Sequence, residues 1–264
     1  MALALIALTA GTAPAETYVE VYLGNNFTVT SPNPLGFDVN QNYKAVQAFP
    51  EYPRTLSTNV IGGGKLGTWF SKQGFPGFDY PEWMKYFGFY LDFNFHGINY
   101  IQGVGTRRIN ISPSTYPYFD QYKFFGDGSI ATLGFMFAAR YGFFPREKVP
   151  FGKFQPYVAV GPAIMITSLG PTYMVQPSHG NLFPFFGVVN AKAALKTTVS
   201  LGLQAELGMR FMLTRFLSVE TSFKYRYTTF AANYDVSIDG FTHQLRFAPE
   251  LNLFSLYSGV AYHF

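Results

Sequence analysis

The sequence predicts an all-β fold, an eight-stranded antiparallel transmembrane up-and-down β-barrel. Three observations carry this reading. Apolar residues recur with period two in rows of about membrane-spanning length, the connections between rows alternate long and short, and the chain is rich in aromatics and poor in charge. Among 264 residues, Phe, Tyr and Trp make up 19% and charged residues 13%, a composition that excludes disorder because so many apolar groups must leave water somewhere.

Taken in chain order, the first row, 18–27, sets Val19, Val21 and Leu23 against Tyr18, Glu20, Tyr22 and Gly24. The second, 65–70, alternates Leu66 and Phe70 with Lys65 and Gly67. The third, 86–96, is the clearest: Phe87, Phe89, Leu91, Phe93 and Phe95 form an apolar row, and Tyr86, Gly88, Tyr90, Asp92, Asn94 and His96 fall on the other face. Alternation of this kind places one row on each side of a pleated strand. The fourth, 132–141, sets Leu133, Phe135, Phe137, Ala139 and Tyr141 against Thr132, Gly134, Ala138 and Arg140.

The fifth row, 154–166, is the least regular. Val158, Val160, Ile164 and Ile166 share a face, but Pro156 and Pro162 cannot donate to a ladder and predict bends or bulges. The sixth, 198–211, opposes Val199, Leu201, Leu203, Ala205, Leu207, Met209 and Phe211 to Thr198, Ser200, Gly202, Gln204, Glu206, Gly208 and Arg210. The seventh, 217–227, sets Leu217, Val219, Phe223, Tyr225 and Tyr227 against Ser218, Glu220, Ser222, Lys224 and Arg226, and the last, 254–264, carries Phe254, Leu256, Val260, Tyr262 and Phe264 on one face. The longer rows match the roughly 9–11 residues of a tilted membrane strand.

Long polar or Pro-rich connections are expected over 28–61, 97–127, 168–194 and 228–253, and shorter ones over 71–83, 144–152 and 212–216. Membrane barrels have this asymmetry, an even strand number and both termini on the short-turn side. Residues 1–15 read as an export signal cut after Ala15, with Ala13-Pro14-Ala15 as the small-x-small site. No Lys or Arg precedes the apolar stretch, so the first Met is also consistent with a start inside a longer signal. Residues 16–264 form one barrel domain, with no further apolar run long enough for a membrane helix.

A soluble barrel also alternates, so the contents of the two faces must decide. The polar face collects Glu20, Lys65, Asp92, Arg140, Glu206, Arg210, Glu220, Lys224 and Arg226, four acids and five bases. Near-balanced signs suit a closed lumen, where an unpaired charge costs several kcal/mol. The row of Phe87, Phe89, Leu91, Phe93 and Phe95 would overfill a small interior, whereas against lipid it needs no complementary partner. Tyr141, Phe143, Tyr225, Tyr227 and Tyr262 suit interfacial aromatic girdles.

Cysteine is absent, which removes disulfides, Cys-ligated metals and thiol catalysis. A formal charge of +4, with Arg107-Arg108 as the only adjacent basic pair, shows no stripe for nucleic acid. His96, His179, His243 and His263 have no metal-like spacing, so no metal or cofactor is expected, and interfacial or loop positions are expected for all four. Lys44, Arg54, Arg107, Arg108, Lys123, Lys192 and Lys196 fall in or near the long connections, where they are either solvated or paired with lipopolysaccharide phosphates.

The ending Ser258-Gly259-Val260-Ala261-Tyr262-His263-Phe264 resembles the C-terminal signature of bacterial outer-membrane barrels. Residues 63–70, 155–162 and 217–227 resemble the small eight-stranded superfamily of OmpA-, OmpX-, OmpW- and opacity-like proteins. This resemblance covers the chain from about Glu16 to Phe264. It implies a Gram-negative outer membrane location with lipid and lipopolysaccharide as surroundings. It also implies insertion by the barrel-assembly machinery, which reads Val260, Tyr262 and Phe264.

On activity the motifs are nearly silent, since function does not follow from fold. Deacylases of this scaffold carry His-x-Ser; here His243-Gln244-Leu245 with Glu250 lacks the serine, so no enzyme is expected. Two roles remain open. One is a structural or surface-interaction protein with a side-chain-filled lumen. The alternative is a narrow OmpW-like channel for small hydrophobic molecules. An apolar pocket at the mouth would favour the channel, and ion pairs from mouth to floor the structural protein.

Overall fold

A computed structural model describes residues 16–30, 35–38, 45–51, 57–70, 80–109, 118–147, 149–177, 189–238 and 241–264. Among the described residues thirteen strands follow in order: β1 (Glu16–Thr30), β2 (Leu35–Asp38), β3 (Ala45–Glu51), β4 (Asn59–Trp69), β5 (Phe87–Ile109), β6 (Tyr118–Arg140), β7 (Phe154–Pro177), β8 (Val189–Lys192), β9 (Lys196–Met212), β10 (Leu217–Thr229), β11 (Ala232–Ile238), β12 (Phe241–Phe247) and β13 (Glu250–His263). A 3-10 turn, Glu82–Tyr86, precedes β5.

Eight of the strands close an antiparallel barrel. Neighbours in the order β1, β4, β5, β6, β7, β9, β10, β13 pair in sequence, and β13 returns to β1. Closure leaves the barrel no unpaired edge, the condition a sheet must meet in a bilayer. Register also sets opposite charges side by side: Glu20 lies across from Lys65, Lys65 from Asp92, Arg210 from Glu220 and Glu206 from Lys224.

The apolar rows face outward. Phe93 is 57% exposed, Val21 66% and Leu201 79%, values a water-soluble protein of this size would not sustain over a contiguous belt but a lipid-facing belt requires. Aromatic pairs bound the belt at both ends. Phe216–Tyr262 and Tyr86–Tyr141 stack near the short turns, and Phe27–Phe254 and Tyr225–Phe254 meet at the other end.

Two expectations are corrected. The connections 97–127, 168–194 and 228–253 are largely strand: β5 and β6 run on past the belt, β7 extends to Pro177 beside β8, and β11 and β12 form a small sheet with β2. Beyond lipid no face has to be apolar, so the period-two signal fades although the backbone ladder continues. The prolines of β7 produce no bulge. Pro156 and Pro162 stay in one unbroken register with β9. Toward β6 partners are missing only at Gly161 and Pro162, with the same register resuming on both sides. The Pro156 carbonyl still accepts from the Tyr141 N–H at 3.0 Å, so each proline withholds a donor without inserting a residue.

Inward glycines make room for inward tyrosines. A Cβ on Gly208 would lie 2.4 Å from the Tyr157 ring, one on Gly63 2.5 Å from Tyr22 and one on Gly67 2.6 Å from Tyr18. In a lumen only wide enough for side chains, each large ring needs a missing side chain beside it.

Candidate functional site: the filled lumen

All nine charged residues read onto the polar face point inward, none more than 5% exposed. The interior divides into layers. At the short-turn end Arg140 donates to both carboxylate oxygens of Glu16, at 2.9 Å through Nη1, and to Gln155 Oε1 at 3.0 Å. Its guanidinium lies between the rings of Trp69 and Phe151, 4.1 and 4.0 Å from their centres. Beside it Ser218 Oγ and His263 Nε2 are 2.8 Å apart, and His263 Nδ1 lies 3.4 Å from Glu16 Oε1.

The middle layer is built around Lys65. Its Nζ lies 3.1 Å from Glu20, 2.7 Å from Glu206 and 2.5 Å from Glu220. It also donates to the Tyr157 hydroxyl at 3.1 Å. The rings of Tyr22, Tyr90, Tyr157 and Tyr257 surround it at 5.0–5.7 Å. Arg210 bridges Glu20 and Glu220 at 2.9 and 2.7 Å, while Lys224 reaches Asp92 at 2.6 Å and Glu206 at 3.6 Å. Tyr22 donates to Asp92 at 2.6 Å, and Gln204 does so at 2.5 Å. Multiple partners per ion are what a buried network needs to offset desolvation.

Of the nine charged residues on the polar face, Arg226 stands outside the ion pairs. Among the described residues Arg226 has no carboxylate partner; it donates to Asn94 Oδ1 at 2.5 Å, Asn26 Oδ1 at 2.7 Å and Ser255 Oγ at 2.9 Å. Its cross-strand neighbours are Gln204 and Leu253, so register places amides and apolar groups rather than acids around it. Double-mutant cycles should reflect the distances. Coupling between Lys224 and Asp92 is expected at about 2–3 kcal/mol, and the Lys224–Glu206 coupling is expected to be smaller. A larger value for Glu206 would reverse this assignment.

Above Arg226 apolar side chains join the filling, among the buried hydroxyls of Thr28, Thr167 and Thr228. Ile61, Ile98, Ile130, Met165, Leu251 and Leu253 face in, each at most 1% exposed. Tyr234 of β11 closes over them, its hydroxyl donating to the Leu169 carbonyl at 3.1 Å. Burial pushes that phenol up to about 12, so it stays a donor at any physiological pH.

His96 and His263 correct the expectation of interfacial or loop histidines. Both face the lumen at no more than 2% exposure, because the parity of β5 and β13 continues to the strand ends. For His243 only the backbone register on β12 is described; His179, Lys44, Arg54 and the expected cleavage site after Ala15 lie outside the described residues. Reading charges alone missed the inward tyrosines, the amides of Asn26, Asn94 and Gln204, and Glu16. Parity carries the signal for all except Glu16, which precedes the first row.

Val260 and Tyr262 lie on the outward row of β13, across from Val21 and Val19 of β1, and Phe264 donates its N–H to the Thr17 carbonyl at 3.0 Å. The last strand thus completes the barrel. A family model, the outer membrane protein beta-barrel domain, matches residues 1–264. The chain belongs to this outer-membrane β-barrel family.

Among solved structures this barrel is similar to Neisserial surface protein A, at 10% identity and a TM-score of 0.40, over 94% of this chain and 97% of that one. It is also similar to the outer membrane protein OprG from Pseudomonas aeruginosa, at 12% identity and a TM-score of 0.38, over 95% and 97%. None of the curated proteins compared with this barrel matches it.

Proposed function

We propose that this barrel is a sealed structural and surface-interaction protein of the Gram-negative outer membrane, exported by a signal cut after Ala15 and inserted through the terminal residues Val260, Tyr262 and Phe264. In this reading the short turns face the periplasm. The strand extensions beyond the belt face outward among lipopolysaccharide, where basic residues such as Lys196 meet phosphate groups.

The observation that carries the reading is the Lys65 layer. Glu20, Lys65, Asp92, Glu206, Arg210, Glu220 and Lys224 contact one another across the lumen, which supports a barrel without a continuous water column. Catalysis is not part of the proposal. Ser218, His263 and Glu16 follow the order of a nucleophile, base and acid. The Ser218 side chain, however, is fully buried in the barrel floor, out of reach of a substrate carbonyl, and the trio acts as a latch between β1, β10 and β13.

A second reading, a narrow path for small hydrophobic molecules, draws on the apolar upper lumen from Ile61 to Leu253. Planar bilayers separate the two. Purified protein is expected to show no stable single-molecule conductance, since an eight-stranded lumen is filled by side chains. Steady porin-scale steps would overturn the sealed barrel, and small flickering currents would favour the narrow path.

A further inference from the structure

Two features of the upper lumen are unexplained by sealing. Arg226, with no exposed surface, is a desolvated cation whose partners are neutral: Asn26, Asn94, Ser255 and, at 3.4 Å, Thr132. The Asn94 amide that accepts from it donates in turn to Asp92 at 3.2 Å. A buried cation lacking a counter-charge costs several kcal/mol. Arg226 Nε and His96 Nε2 also lack partners among the described residues. They stand one amide apart, since Asn26 accepts from Arg226 and lies 3.4 Å from His96 Nδ1. Directly above, Ile61, Ile98, Ile130, Met165, Leu251 and Leu253 line the interior, where a membrane barrel is ordinarily polar.

A cation without a contacting carboxylate, beneath a cluster of apolar side chains, is complementary to one kind of molecule. We propose that the upper lumen binds an amphipathic monocarboxylate, its head group on Arg226 and its acyl chain among these six side chains. The carboxylate accepts from the Nε–H, a charge-assisted bond. His96 Nδ1 is 3.0 Å from the Gly97 carbonyl; donating there, the neutral ring leaves Nε2 free to accept a hydrogen bond from the acid's O–H when the ligand enters protonated. None of the six apolar residues can make a side-chain hydrogen bond, so a chain that parts them replaces one apolar contact with another. The ionic layer below cannot part without breaking ion pairs, so the ligand stops at Arg226. This site goes beyond the sealed-barrel reading and is compatible with it.

The test uses the full chain refolded into nanodiscs and titrated with carboxyl-labelled decanoate, followed by 13C NMR against empty nanodiscs. A saturable, protein-dependent signal is expected. It should weaken by about tenfold or more in Arg226→Gln, the loss of one hydrogen bond to a charged group, and equally in Ile130→Trp, whose larger ring takes the place proposed for the acyl chain. Acetate and 1-decanol, each lacking half of the recognised chemistry, should compete poorly. The proposal is overturned by decanoate binding no better than to empty nanodiscs, by undiminished binding to folded Arg226→Gln, or by acetate competing as well as decanoate. Should Arg226→Gln fail to fold, Ile130→Trp and the two competitors decide. Conductance is a separate readout: a barrel that binds decanoate and stays silent satisfies both proposals, and one that conducts yet binds retires only the sealed barrel.

Discussion

Replacing Lys65 with methionine is expected to destabilise the folded barrel by about 3–5 kcal/mol, the usual cost of removing one partner from a buried ionic group. Among the described residues Lys65 is the one cation that touches Glu20, Glu206 and Glu220 together. Without it Arg210 remains on Glu20 and Glu220, and Glu206 keeps the Tyr157 hydroxyl and, as a cation, Lys224 at 3.6 Å. Adding Glu206→Gln to Lys65→Met should recover part of the loss, because the orphaned charge is then removed as well. Reversible urea unfolding in lipid vesicles measures both. A single variant within about 1 kcal/mol of wild type would mean that the layer is hydrated and that the sealed lumen is wrong.

Phe93→Arg is expected to cost about 2–4 kcal/mol, the depth-dependent price of a cation on the lipid face near the midplane. Phe93 lies on the outward row of β5, opposite Gly64 on β4 and Leu133 on β6. Its neighbours in the row, Leu91 and Phe95, are also apolar, so no acid is at hand to pair with a guanidinium. Folding into bilayers, read by heat-resistant migration and strand circular dichroism, is the measurement. Insertion as efficient as wild type would invert the assignment of faces.

The rows of β5, β9 and β10 were legible because lipid enforces them. Every second residue there meets hydrocarbon, so Phe87 to Phe95 and Val199 to Phe211 carry an unbroken signal. Where the same strands leave the bilayer, as β5 does between Asn99 and Ile109, the constraint ends. The sequence then reads as loop although the ladder with β6 continues. Pro156 and Pro162 misled for a related reason. A missing donor is visible in sequence, but whether the neighbouring strand keeps its register depends on pairing over the whole of β7, and that pairing with β9 is unbroken.

The site shows the same division. Parity is a local property of an extended backbone, so it separates Glu206 and Arg210 from Leu207 and Met209 without reference to the rest of the chain. Composition likewise determined that the chain is charge-poor, aromatic-rich and without cysteine chemistry. Which ion meets which is not local. Lys65 and Glu220 are 155 residues apart, and their contact depends on strand register and on the curvature that brings opposite walls of the barrel together. Only the closed tertiary structure placed Lys65 among three carboxylates, left Arg226 among amides, and buried Ile130 and Met165 above it, because the lumen is a shared space whose contents are set by all eight strands at once.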